Sequence, residues 1–559
     1  MCIRDSFGDI TIADEMSVTT SGIDPDPFQG FFSPPGLGSG DIFVRADDLQ
    51  IRDAEVRTLT VTSGDAGDID LDLTGALTIE GVSSDQQTGI FADTGFRSSP
   101  RSGQVITIPN LLIQGWGELT TVVGDGCGVE ICSIQYRAVG DAGDVRIHAR
   151  DVSLLNGGKI TATSEFFGDA GTIEIDFERE MTIAGRRGPG DVSLMTTNAN
   201  GAGNPGEIRL RSDVGVLRLD DFGALVIQNG SASRATGLPG RIEIDVAELD
   251  LSGNARIDSS TRGAGPGGIL DITARDRLSL RGRTDDELFT GISTLSQPGS
   301  TGNAGEIRIA TANLIMEDGA EISARPVDAT SLGSAGSLRF EIGDRLVMRN
   351  ATISTESPNA AGGNIDLAVR GVVDMRRSSI KTSVTSGPEN AGNITLRPGP
   401  EALVLDQSQI IAGADAGTGG LIDIEAGVVI RDDGSSIEAP AGPTGIAGVV
   451  LINGVEGNIV PEVASMATPA ADASKLLREP CAARRPGASN RFVVDDRRLV
   501  AVDADDYLAA PFGALLGTRE SGTEGPSSAE ILRQDGEIAS SEDPQLGLEP
   551  RAASSDCTL

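Results

Sequence analysis

Aliphatic and polar residues alternate along most of this chain in short runs, and a glycine opens nearly every run. The frame is Gly, any residue, aliphatic, any residue, apolar. It reads GDITI from Gly8, GDIFV from Gly40, GDIDL from Gly67, GDVRI from Gly143 and GTIEI from Gly171. It continues as GEIRL from Gly206, GRIEI from Gly240, GILDI from Gly268, GEIRI from Gly305, GSLRF from Gly336, GNIDL from Gly363, GNITL from Gly392 and GLIDI from Gly420. GQVIT from Gly103 is the weakest of the 14 copies, since Thr107 breaks the second apolar position. Alternation with period two predicts strands with one buried face. A mean spacing of about 32 residues lies in the range of solenoid repeats.

Two further short strands follow each glycine. The second is an aliphatic pair such as Leu77 and Ile79, Val152 and Leu154, or Leu346 and Met348. The third usually follows Gly, Asn or Ala, as at Ile160, Ile257, Ile322, Ile353 and Ile380. No helical period separates them, and the junctions lack the two-residue turns that hairpins prefer. Stacking copy on copy resolves this, because each strand then pairs with its equivalent one turn away. The expected fold is all-β: a right-handed, single-stranded parallel β-helix of about 14 coils, on the order of 65 Å long at strand spacing. Ile69, Val145, Ile208, Ile242, Ile307, Ile365 and Ile394 should form one buried column. The leading Gly suits a corner needing either positive φ or close backbone approach. The longer repeats carry their extra residues near the third strand, after Gly185, Gly282 and Ser296, and these should project as loops. A propeller would need four strands per repeat and a leucine-rich repeat is shorter.

Length alone would suggest several domains, but a stack grows in one dimension without a new core. Boundaries fall at 1–7 (a scar or truncated start), 8–457 (repeats), 458–516 (a C-terminal segment) and 517–559 (a Gly/Ser/Glu-rich tail whose composition predicts disorder). The 73 glycines lack the collagen period. A formal charge of −37 argues against nucleic acid and against charge-driven docking on anionic membranes. No apolar run is long enough for a transmembrane helix, and no signal peptide opens the chain.

Chemistry-bearing residues are few. One His, His148, lies between inward Ile147 and Ala149 and should face solvent. No Cys/His cluster suggests zinc, and no catalytic or cofactor-binding set stands out. Cys127 and Cys132, in GDGCGVEIC, are spaced for a small disulfide loop. GDAGD at Gly64 and Gly140 suits plain turns, with weak Ca²⁺ binding as the alternative reading. Trp116 reads as corner packing or a partner contact, and the pairs Phe31–Phe32 and Phe166–Phe167 read as cover for the rod's flank, with sugar-stacking platforms as the alternative. Outward charges such as Arg308, Arg339 and Asp366 read as solubility charges, although β-helical lyases place carboxylates and Arg on such faces.

The segments GNAGEIRIATANLIMEDGAEISA (Gly302 to Ala324) and GDAGDVRIHARDVSLLNGGKITATS (Gly140 to Ser164) resemble the repeat of filamentous-haemagglutinin-like large exoproteins, the secreted partners of two-partner secretion systems. The resemblance spans roughly residues 8–457. The tail adds to it: Cys481, then Arg484 and Arg485 through Ser489, then Phe492, Val493 and Val494 are similar to the terminus of one subgroup. The resemblance implies a non-enzymatic adhesin, exported through an outer-membrane two-partner transporter and found outside a Gram-negative-type cell or on its surface. Its secretion domain would lie upstream of Met1. It does not by itself imply a particular adhesion target; host or matrix glycans or proteins are the candidate partners. A β-helical carbohydrate-active enzyme, a polysaccharide lyase or glycosidase, is the alternative.

Overall fold

The computed structural model describes residues 2–4, 10–13, 17–21, 38–60, 64–82, 87–94, 120–121, 134–135, 140–164, 168–188, 190–201, 203–231, 238–282 and 290–458. The chain divides at Met466, and all of these residues lie in the first unit, Met1–Met466. Every regular element among them is a strand. The fold is a parallel β-solenoid of about 12 turns. First and second strands of each turn share one 20-stranded sheet, and third strands build a separate 13-stranded sheet.

The glycine-led frames form the first strands, among them Ile42–Ala46, Ile69–Leu73, Val145–Leu155 and Thr172–Ala184. Each pairs in parallel with its equivalent one turn along. The residues two after the glycine therefore stack in one file: Ile42, Ile69, Val145, Ile173, Ile208, Ile242, Leu270, Ile307, Leu338, Ile365, Ile394, Ile422. All are at most 1% exposed. A second file, from Val56 through Ile90, Ile160, Met195, Leu225 and Ile257 to Ile410, faces it from the third sheet. Burying each such side chain contributes roughly 1.5–3 kcal/mol, so the stack is held by its interior columns.

Corners differ in their chemistry. Several first and second strands run together, bent by an irregularity such as that between Ala149 and Asp151 or between Val246 and Glu248; an extra residue there turns the strand without ending it. The corner into the third strand enters the left-handed region, at Asn156 (φ 51°), Asn254 (φ 66°), Asp318 (φ 56°) and Asn350 (φ 53°). Asn and Asp tolerate this conformation better than other side chains.

The third corner holds the leading glycines, and among the described ones from Gly67 to Gly420 none has positive φ. Close approach is what requires them. A β-carbon on Gly143 would lie 2.0 Å from the carbonyl oxygen of Gly67, and one on Gly305 would lie 1.8 Å from that of Gly268. Hydroxyls of the third strand satisfy some of these carbonyls: Thr58 Oγ1 donates to Gly67 O (2.6 Å) and Thr355 Oγ1 to Gly363 O (2.8 Å). The corner is thereby buried and still hydrogen-bonded.

Three expectations change. GDITI at Gly8 is not a first strand: Ile10–Ala13 pairs with Leu49–Arg52, in the second-strand row. The first-strand row is occupied there by Cys2–Arg4, paired with Phe43–Arg45. The Gly103 copy lies outside the described residues, and the described turns on either side of it pair directly, Val145 with Ile69 and Lys159 with Gly89. The stack has about 12 turns where about 14 were expected. Finally, the insertion after Gly185 folds back over the stack. Arg186–Gly188 pairs antiparallel with Asp191–Val192, and Arg187 is buried.

Candidate functional site

The outer face of the first strands carries charges that are largely spent on one another. Arg308 Nη2 donates to Glu306 Oε2 (2.6 Å), and Arg146 bridges Asp144 (2.6 Å) and, one turn away, Asp68 (3.0 Å). Arg339 and Asp366 are exposed on this face, as is His148. Such half-exposed pairs are worth about 0–1 kcal/mol each. They keep the face charged and solvated.

The GDAGD turns have a structural account. Asp65 Oδ1 accepts the backbone N–H of Asp141 (3.0 Å), Asp141 Oδ1 that of Asp169 (2.7 Å), and Asp169 Oδ1 that of Asn204 (2.7 Å). Asp41, Asp68 and Asp144 form a second ladder of the same kind. Each carboxylate is thus engaged by the amide one turn on. Among the described residues no group of three or more His, Cys, Asp or Glu is placed to hold a metal ion.

Near the insertion after Gly185, Arg187 Nε lies 2.8 Å from Asp191 Oδ2, and Lys159 Nζ donates to Asp191 Oδ1 (2.8 Å). Burial alone would raise the Asp191 carboxyl, but Lys159 and Arg187 hold it below the usual range. Arg186 stacks on Phe222, 3.7 Å from the ring centre. These contacts fasten the insertion to the solenoid corner.

The outer face of the third sheet is different. Strand alternation turns Phe91, Thr161, Thr196, Val226, Asp258, Ser293, Ser323 and Ser354 away from the core, yet all are buried. Asp258 accepts hydrogen bonds from Ser260 Oγ (2.7 Å) and Ser293 Oγ (2.9 Å). Burial pushes its carboxyl above the usual range, against the pull of those hydroxyls and of Arg256 and Arg262. Farther along the same row the face opens into a cleft of about 290 Å³. Its lining comprises Glu321, Arg325, Pro326, Thr352, Ser354, Glu356, Ser357, Pro358 and Thr385. Arg325 Nε donates to Glu321 Oε1 at 3.3 Å, and the N–H of Glu356 to Ser354 Oγ at 3.2 Å. Ser323, paired with Ser354 across one turn, has a buried hydroxyl without a hydrogen-bond partner.

The repeat-core residues Ile69, Val145, Ile208, Ile242, Ile307, Ile365 and Ile394 sit together inside the stack. Cys127, Cys132, Trp116, Phe31, Phe32, Phe166, Phe167, Cys481, Arg484, Arg485 and the two C-terminal segments lie outside the described residues. Sequence reasoning passed over Glu321, Arg325 and Glu356. Glu321 and Arg325 occupy outward positions of the strand Glu321–Pro326, and Glu356 follows the strand Thr352–Ser354; a polar residue at such places carries no signal until neighbouring turns place it beside a recess. Among the described residues no helix is long and apolar enough to cross a membrane. No protein-family model, curated protein or solved structure matches the chain.

Proposed function

We propose that this chain is the repeat rod of a secreted adhesive exoprotein, exported through an outer-membrane two-partner transporter and bearing its contact surface on the third sheet. The observation that carries the reading is the division of labour between faces. The first-strand face spends its charges on mutual pairs, whereas the third-sheet face buries outward polar groups and holds the cleft. A stack of this kind supplies length and stiffness, since each turn is locked to its neighbours by the same columns. The repeat's resemblance to filamentous-haemagglutinin-like exoproteins supports the export route. A neighbouring gene for a two-partner transporter is the expected genomic context, and secretion of the full-length protein should fail when that gene is deleted.

A β-helical carbohydrate-active enzyme is the second reading, and the cleft favours it in one respect: Glu321, Glu356 and Arg325 line the same recess. Incubating purified protein with pectin, other acidic polysaccharides and common glycans separates the two. The adhesive rod binds without turnover. Turnover lost on replacing Glu321 or Glu356 would establish the enzyme.

A further inference from the structure

We infer that the cleft between Glu321 and Thr385 binds a neutral saccharide, an inference that rests on the adhesive reading and names the ligand class its surface would take. The cleft's charge excludes the acidic polymers that β-helical lyases degrade. It holds two carboxylates, Glu321 and Glu356, against one guanidinium, Arg325, which is already bonded to Glu321. The whole chain, at −37, adds long-range repulsion of polyanions. A uronate or sulfate ester would therefore enter against charge.

A neutral sugar meets complementary groups. Carboxylate oxygens accept from adjacent ring hydroxyls in pairs, and the guanidinium has five N–H donors, of which Glu321 engages one. Thr352, Ser354 and Thr385 supply hydroxyls that both donate and accept. Pro326 and Pro358 add apolar surface to the lining. The volume of about 290 Å³ falls at the lower end of small-molecule sites, enough for about one or two sugar rings.

The full chain is titrated with methyl glycosides of glucose, galactose and mannose, and with galacturonate, by calorimetry and saturation-transfer NMR. Glu356→Gln and Arg325→Met keep side-chain length, and unchanged melting verifies their folding; Asp366→Ala on the first-strand face is the control. Binding of a neutral glycoside, weakened about tenfold or more in either cleft variant and unchanged in the control, is expected. Preference for galacturonate, undiminished binding in both cleft variants, or no neutral sugar bound at about 50 mM overturns the inference. Adhesion to cells or matrix separates this result from the broader reading. Adhesion that survives with no sugar bound refutes the cleft but keeps the rod. Sugar binding in the cleft without adhesion to any surface upholds the cleft and refutes the adhesive reading.

Discussion

A β-carbon on Gly363 would lie 1.6 Å from the carbonyl oxygen of Gly336, one turn away. The same relation holds between Gly392 and Gly363 (1.9 Å) and between Gly420 and Gly392 (1.8 Å). The glycine ladder is thus a packing device: hydrogens in place of side chains let successive corners stack at strand spacing.

Gly363→Ala should accordingly destabilise the solenoid by at least about 2 kcal/mol, since backbone on both sides must shift. Gly343 is the contrast. It lies exposed within Ser337–Arg349, and its β-carbon would come no closer than 3.6 Å to any neighbour. Gly343→Ala should be neutral or stabilising by about 0.5–1 kcal/mol. Melting temperatures of the two variants check the pair.

Ile307→Asp should disrupt the turn it sits in and loosen the turns on either side. The position is 0% exposed in the middle of the column, and an unpaired buried carboxylate costs about 3–5 kcal/mol or shifts to its neutral form. Because each turn touches only its neighbours, the damage should be local and visible as new protease cleavage near residues 270–340. Arg308→Ala, one residue away but outward, should cost under about 1 kcal/mol.

Asp258 makes the third sheet sensitive to pH. Burial raises its folded-state pKa above the unfolded value. A carboxyl shifted upward contributes stability below its unfolded pKa and loses it as pH rises through the folded one. Asp258→Asn should therefore melt higher than the parent at neutral pH, with the gain shrinking as pH falls toward about 4. Asp432 works in the opposite sense. Ser435 and the amide of Gln407 hold it below the usual range, so its contribution is present above the unfolded pKa and disappears as pH falls through the folded one. Thermal melts of Asp258→Asn and Asp432→Asn across this range check the signs.

Arg187→Ala should loosen the insertion that follows Gly185. It leaves the partly exposed Asp191 with Lys159 as its remaining close cation, so the cost should be about 1.5–3 kcal/mol, that of one hydrogen bond to a charged group. Amide exchange of residues 186–193 should quicken before the rest of the chain responds. Arg187→Met, which preserves much of the buried volume, should recover part of the loss.

Strand positions, the inward file from Ile69 to Ile394 and the solenoid itself were legible in the sequence. Period-two alternation and a recurrent glycine are local signals, and they report which side of a strand is buried. Row assignment was not local. GDITI at Gly8 has the same alternation as any first strand, and only its pairing with Leu49–Arg52 puts it in the second row. Val145 sits on Ile69 across 76 residues, because closing a longer loop adds entropy cost only logarithmically while matched aliphatic columns gain with every turn. The role of the glycines, close approach in place of positive φ, needed the carbonyl of the previous turn. So did the cleft: Glu321, Arg325 and Glu356 are ordinary outward polar residues along the chain, and become one recess only because parallel stacking lays residues 31 and 35 apart side by side. Sequence by itself determined what each strand buries; which turn lies beside it, and therefore which outward groups meet, was decided by tertiary pairing, whose energy lies in contacts between residues far apart in the chain.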